Sequence, residues 1–113
     1  MNVMLIQIKV NNQIIHAKLC NNPLTRALGL LFTYKKSALL VSPIESQYQT
    51  SIHTFFMLNS IDVVWLDKDK NILEIKTMKP FSHHTPKEKA KYVLEIPSNS
   101  IKNITKIDFK INI

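Results

Sequence analysis

Four side chains in this sequence have the chemistry for a reaction or a polar binding site: Arg26, His53, Asp62 and Glu95. Two carboxylates and an imidazole within hydrogen-bond reach of one another are the equipment of a hydrolase, with Asp62 and Glu95 paired and His53 as base. The same groups, with Arg26 as a planar fork and Met57 as an apolar wall, would instead make a small ligand-binding site. Arg26 stands out because every other one of the fifteen basic residues is lysine. Where only charge is wanted Lys suffices; an isolated Arg points to a need for bidentate geometry.

Asp62 lies in the stretch SIHTFFMLNSIDVVWLD, residues 51–67, within a β-branched and aromatic run. In a strand alternate residues share a face, so Asp62, Val64 and Leu66 point one way and Ile61, Val63 and Trp65 the other. Both sets are apolar, which predicts a strand covered on both sides with Asp62 at its entrance. A buried carboxylate is costly unless paired and hydrogen-bonded. The partners within sequence reach are Arg26, His53 and the backbone amides of the break at 58–60. Aspartate's habit at turns and strand edges favours architecture, with Asp62 pinning the turn before its strand; a ligand-site role is the rival.

Other motifs carry less. Asp67-x-Asp69-x-Asn71 opens like a calcium loop, but the sixth position, which needs Gly, is Ile72, and the twelfth, which needs a carboxylate, is Met78. His16, His53, the His83-His84 pair and Cys20 do not have the spacing of a zinc site. No metal and no cofactor is therefore expected. Cys20 is the single cysteine and cannot form an internal disulfide, which fits a reducing compartment. It reads as a small half-buried residue at a strand end. Phe55, Phe56 and Trp65 have the rings to stack bases, yet sit in apolar runs that assign them to the interior. The expected core includes Phe55, Met57, Val63, Val64, Leu66 and Tyr92.

The elements that must position these groups are short. At 113 residues the chain reads as one domain over 1–113, with 45% hydrophobic and 20% charged residues. No apolar run reaches the roughly 18–20 residues a membrane helix needs. The N-terminus alternates like a strand rather than a signal peptide, so a cytoplasmic protein without membrane contact is expected. Residues 4–10 and 13–19 alternate around Asn11-Asn12, a tight hairpin in a chain with one glycine. Asn22-Pro23 starts a short helix with Leu24, Leu28 and Leu31 on one face. Short strands follow at 38–41, 52–57, 61–66, 72–77, 92–96 and 107–113, with a second hairpin at 67–71, a long polar loop at 80–91 and one helical turn at 98–104. This pattern predicts a mainly β protein, a compact β-sandwich or open barrel of seven to nine short strands with one short helix.

The net charge of +7 calls for an acidic partner in many proteins. Here the charge is scattered lysine beside abundant Ile and Asn, the drift of an AT-rich genome rather than a reading face. It argues against specific nucleic-acid binding and leaves only a weak lysine-based contact as an alternative.

The segments Arg26-Ala-Leu-Gly-Leu-Leu31, Ser51-Ile-His-Thr-Phe-Phe-Met57, Ile61-Asp-Val-Val-Trp-Leu-Asp67, Lys79-Pro-Phe81 and Tyr92-Val-Leu-Glu-Ile-Pro97 resemble, in order and spacing, the family named domain of unknown function 192. The His53 segment and Thr85-Pro86 are similar to archaeal members. The resemblance implies a mostly β fold and no established activity. It departs at Gly29-Leu30-Leu31, where the family has Gly-Leu-Met, and where family glycines are replaced by Ser98-Asn99 and Ile107-Asp108. The reading favoured is a non-enzymatic binding or interaction module for a small ligand or a protein, its site built from Arg26, His53, Met57, Asp62 and Glu95. The hydrolase built on Asp62, Glu95 and His53 is the alternative.

Overall fold

The structure, a computed structural model, describes residues 4–21, 37–55, 57 and 59–111. They form β1 (Leu5–Val10), β2 (Gln13–Cys20), β3 (Ser37–Ser46), β4 (Ile52–His53), β5 (Ile61–Leu66), β6 (Ile72–Met78), β7 (His83–His84), β8 (Ala90–Pro97) and β9 (Ile107–Phe109). Seven of them make one sheet in the order β6-β5-β8-β3-β2-β1-β9, and β4 pairs with β7 in a second, two-stranded sheet. The protein is mainly β, as expected, and its form is the open-barrel one.

Local chemistry explains the turns. Asn11 takes φ 54 between β1 and β2, a left-handed conformation that Asn tolerates better than most residues. In the turn between β5 and β6, Lys70 takes φ 69 while the Asp67 carboxylate accepts the amides of Asp69 and Asn71 at 2.8 and 2.9 Å. That carboxylate is thus spent on its own turn. Other joins are long-range. β2 and β3 run parallel, and β8 is inserted between β3 and β5, antiparallel to both.

The sheet curls until its ends approach. Lys70, in the turn leading to one edge strand, pairs with Asp108 on the other edge at 3.2 Å, donates to the Phe109 carbonyl and lies 4.7 Å from the Phe109 ring centre. Tyr92 meets the same ring edge-on at 5.0 Å. The face this half-barrel encloses is apolar, with Ile8, Val10, Leu39, Val64, Leu66 and Leu94 among its buried residues. The opposite face carries a second core of Cys20, Ala38, Leu40, Val63, Trp65 and Val93, closed over by Ile52 and Met57. The two-sided burial predicted for the strand at 61–66 holds: all six residues of β5 are buried.

Several expectations are corrected. Phe55 is 46% exposed rather than core, because the strand there ends at His53 and Phe55 lies beyond it on the outer side. Tyr92 is half-buried, packed against the enclosed core. The strand at 38–41 runs on to Ser46, since Pro43, which has no N–H to donate, falls where the pairing with β8 is irregular between Val41 and Ser46. The loop at 80–91 contains β7 and the start of β8. Residues 98–99 form a turn, with Ser100 N donating to the Pro97 carbonyl, rather than a helical turn. The short helix expected from Asn22 to Leu31 lies outside the described residues.

Candidate functional site

The carboxylate of Asp62 is buried and satisfied. Thr77, directly opposite it on β6, donates its hydroxyl to Asp62 Oδ1 at 2.6 Å. The amide of Asn99, in the turn after β8, donates to Oδ2 at 3.2 Å. That turn is also held to the entrance of β5 by the Ser98 amide on the Ser60 carbonyl at 3.3 Å. Among the described residues, the amide that holds Asp62 therefore comes from the turn at 97–100, far away in sequence. Asp62 pins the turn after β8 to the β5–β6 edge.

Hydrogen bonds to a charged acceptor contribute about 1.5–3 kcal/mol each. Asp62→Asn keeps an oxygen for Thr77 but sets an NH2 group against the Asn99 amide, so it should lower stability by about 1–3 kcal/mol, read from urea midpoints. Thr77→Val and the double variant complete a cycle in which the two losses are coupled. A loss below about 0.5 kcal/mol for Asp62→Asn would place the carboxylate among surface residues.

Glu95 is the opposite case. On β8 it stands between Ala38 of β3 and Val63 of β5, on the face of the second core. The side chain is 1% exposed, and neither carboxyl oxygen has a hydrogen-bond partner among the described residues. Burial pushes its carboxyl up to about 8, so it is mainly the neutral acid at pH 7. On the same face Cys20 is pushed up to about 11, by burial first and then by the nearby Glu95 charge, with Lys18 pulling the other way. The thiol is thus protonated at neutral pH and a poor nucleophile.

The pairing register decides what these residues can do together. Val63 is opposite Glu95, and Asp62 is opposite Ile96. Opposed residues on adjacent strands share a face and successive residues do not, so Asp62 and Glu95 project from opposite faces of the sheet. They do not form a carboxylate pair. His53 lies on β4 with its ring exposed and stacked on Phe55 at 5.2 Å. Met57 is buried in the second core, on the same side as Glu95. Arg26 lies outside the described residues.

One network carried no signal in the sequence. Glu74, opposite Trp65 on β6, pairs with His84 and accepts the Lys87 amide at 3.1 Å. Partial burial works against the Glu74 charge, but the Lys87 amide and then His84 bring its carboxyl below the usual range. The Trp65 ring meets His84 edge-on at 5.3 Å and donates Nε1–H to the Thr50 carbonyl at 2.7 Å. Only the sheet register brings Trp65, Glu74 and His84 together, and no local spacing encodes it. Among the described residues, no three His, Cys, Asp or Glu side chains are grouped so as to hold a metal ion.

A curled, open seven-stranded sheet with a small two-stranded sheet beside it defines a small half-barrel class. The same form occurs in a protein of unknown function from Novosphingobium aromaticivorans, with a TM-score of 0.68 at 12% identity over 94% of this chain and 84% of that one. It occurs again in a putative transcription regulator from Sinorhizobium meliloti, with a TM-score of 0.75 at 14% identity over 96% of this chain and 94% of that one. At such identities the likeness shows the fold alone. The sequence profile of the domain of unknown function 192 family, described as "Uncharacterized ACR", matches residues 6–112, and the chain belongs to that family. It is 40% identical over 81 residues to a UPF0127 protein of Pyrococcus horikoshii, covering 71% of this chain and 70% of that one. To a UPF0127 protein of Thermococcus gammatolerans it is 37% identical over 91 residues, covering 79% of this chain and 60% of that one. The archaeal resemblance is thereby confirmed. No helix among the described residues is long and apolar enough to cross a membrane.

Proposed function

We propose that the protein is a non-enzymatic binding module, and that Glu95 is the polar handle of its site. One observation carries this reading: a carboxyl group wholly buried in an apolar core with both oxygens unpartnered among the described residues. A buried polar group without a hydrogen bond costs stability, and such groups persist where they have a task. A neutral carboxylic acid offers one donor and one acceptor, which suits a small ligand carrying an amide or urea group. The hydrolase reading loses its main support, since the two carboxylates stand on opposite faces. The single buried cysteine agrees with a cytoplasmic setting.

Ligand-observed NMR with acetamide and methylurea as probes tests the reading. At least one probe should bind the wild type and lose its signal with Glu95→Leu, while that variant stays folded. If no probe binds and Glu95→Leu lowers stability, Glu95 is a packing residue and the reading is wrong.

A further inference from the structure

The small β4–β7 sheet presents four exposed rings. His53 and His83 are directly opposed across it, and Phe55, two residues beyond His53, stacks on the His53 ring at an interplanar angle of 24°. Phe81 is 76% exposed. Its amide donates to the Thr54 carbonyl at 2.8 Å, which seats it against the peptide group joining Thr54 to Phe55. The inner side of the same sheet is anchored, with Ile52 and Thr54 buried.

The backbone holding Phe81 is unusual. Thr54 faces two residues at once, taking the Phe81 amide on its carbonyl and the Ser82 amide on its hydroxyl at 2.8 Å. This is a bulge of the kind whose first residue is ordinarily a left-handed glycine. Here that residue is Phe81, at φ 61. Three of the other four left-handed residues are asparagines, whose side chains tolerate the conformation, whereas a bulky aromatic there is an outlier. Thr54 secures the arrangement, donating its hydroxyl to the Lys79 carbonyl at 2.6 Å and its amide to the Ser82 carbonyl at 2.8 Å.

We propose that this ring cluster is a stacking platform for single-stranded nucleic acid, bound without sequence preference. Exposed aromatic rings on a rigid support, within a basic protein, are what such binding uses: every base has a π-face, and the positive field follows the phosphates. The chain has fifteen basic against eight acidic residues, and Lys79 is exposed beside the bulge. Glu74, which bonds to the small sheet, is occupied by His84 and Lys87. Scattered lysines without arginine forks suit this sequence-tolerant mode and not groove reading. A duplex keeps its bases stacked and cannot use the platform. The surface is separate from Glu95, which lies in the core of the main sheet.

Fluorescence anisotropy with oligo-dT and oligo-U on the order of 15 nucleotides, and a duplex of equal length, tests it at low and moderate salt. The single strands should bind at least tenfold more tightly than the duplex, and the DNA and RNA arms show which is preferred. Phe55→Ala and Phe81→Gly should each weaken single-strand binding by about tenfold, the scale of one lost base stack. Phe81→Gly relieves the left-handed backbone, so its loss of binding cannot come from misfolding; its thermal midpoint should be unchanged or higher. Glu95→Leu should leave oligonucleotide binding as it is. Equal affinity for duplex and single strand, insensitive to both ring variants, would reduce the effect to a diffuse lysine field and overturn the proposal. So would no binding at low salt.

Discussion

Between pH 4.5 and about 8 the protein should lose stability steadily, and Glu95→Gln should abolish most of that loss. In the unfolded chain the Glu95 carboxyl titrates at its ordinary 4.5, whereas in the folded protein burial holds the proton until about 8. Within that window the folded state binds more protons than the unfolded one, so stability falls as pH rises. The stabilisation is complete below 4.5 and is gone above about 8. At about 1.4 kcal/mol for each pH unit, the gap amounts to on the order of 5 kcal/mol. Glu74, Asp67 and Asp108 are shifted in the opposite direction, and their contribution is lost only on acidification. Cys20 adds a further fall between 9.0 and about 11. Urea titrations at pH 5, 7 and 9 resolve the Glu95 window. A wild-type curve flat from pH 5 to 8 would mean that Glu95 has a charged partner, and its role as an unpartnered handle would fail with it.

Removing Trp65 should be the most damaging single truncation. It is fully buried, and its indole joins the main sheet to the small one. Trp65→Ala forfeits the ring's burial and leaves a cavity, a loss of about 3–5 kcal/mol for a residue of this size. It also strips the Thr50 carbonyl of its donor and His84 of its ring contact. Trp65→Phe separates the two effects, retaining most of the volume while losing the Nε1–H donor, and should cost about 1–3 kcal/mol. Hydrogen exchange should show residues 50–54 and 82–84 opening before the main sheet in either variant, because the Trp65–Thr50–His84 contact is one of the links that hold them to it, beside the Glu74–His84 pair and the packing of Ile52. Uniform opening of both sheets would show that the link is not local.

What the sequence alone determined rests on short-range physics. Period-two alternation marked 61–66 as a strand covered on both sides, and Asn11-Asn12 and Asp67–Asn71 marked the hairpins through their turn chemistry. The cost of burying a carboxylate already cast Asp62 as an anchor in need of partners, before those partners were known. Everything that depends on which strands become neighbours was decided by the tertiary structure. Phe55 looked like core because its run is apolar, yet the strand stops at His53 and leaves the ring outside. The alternative hydrolase reading paired Asp62 with Glu95, two acids on strand segments. Inserting β8 between β3 and β5 set a register that turns them to opposite faces. A side chain's alternation is a property of its own strand, but one residue of register reverses which face it shares with a neighbour. That register is selected by long-range burial, which no local stretch of the sequence encodes.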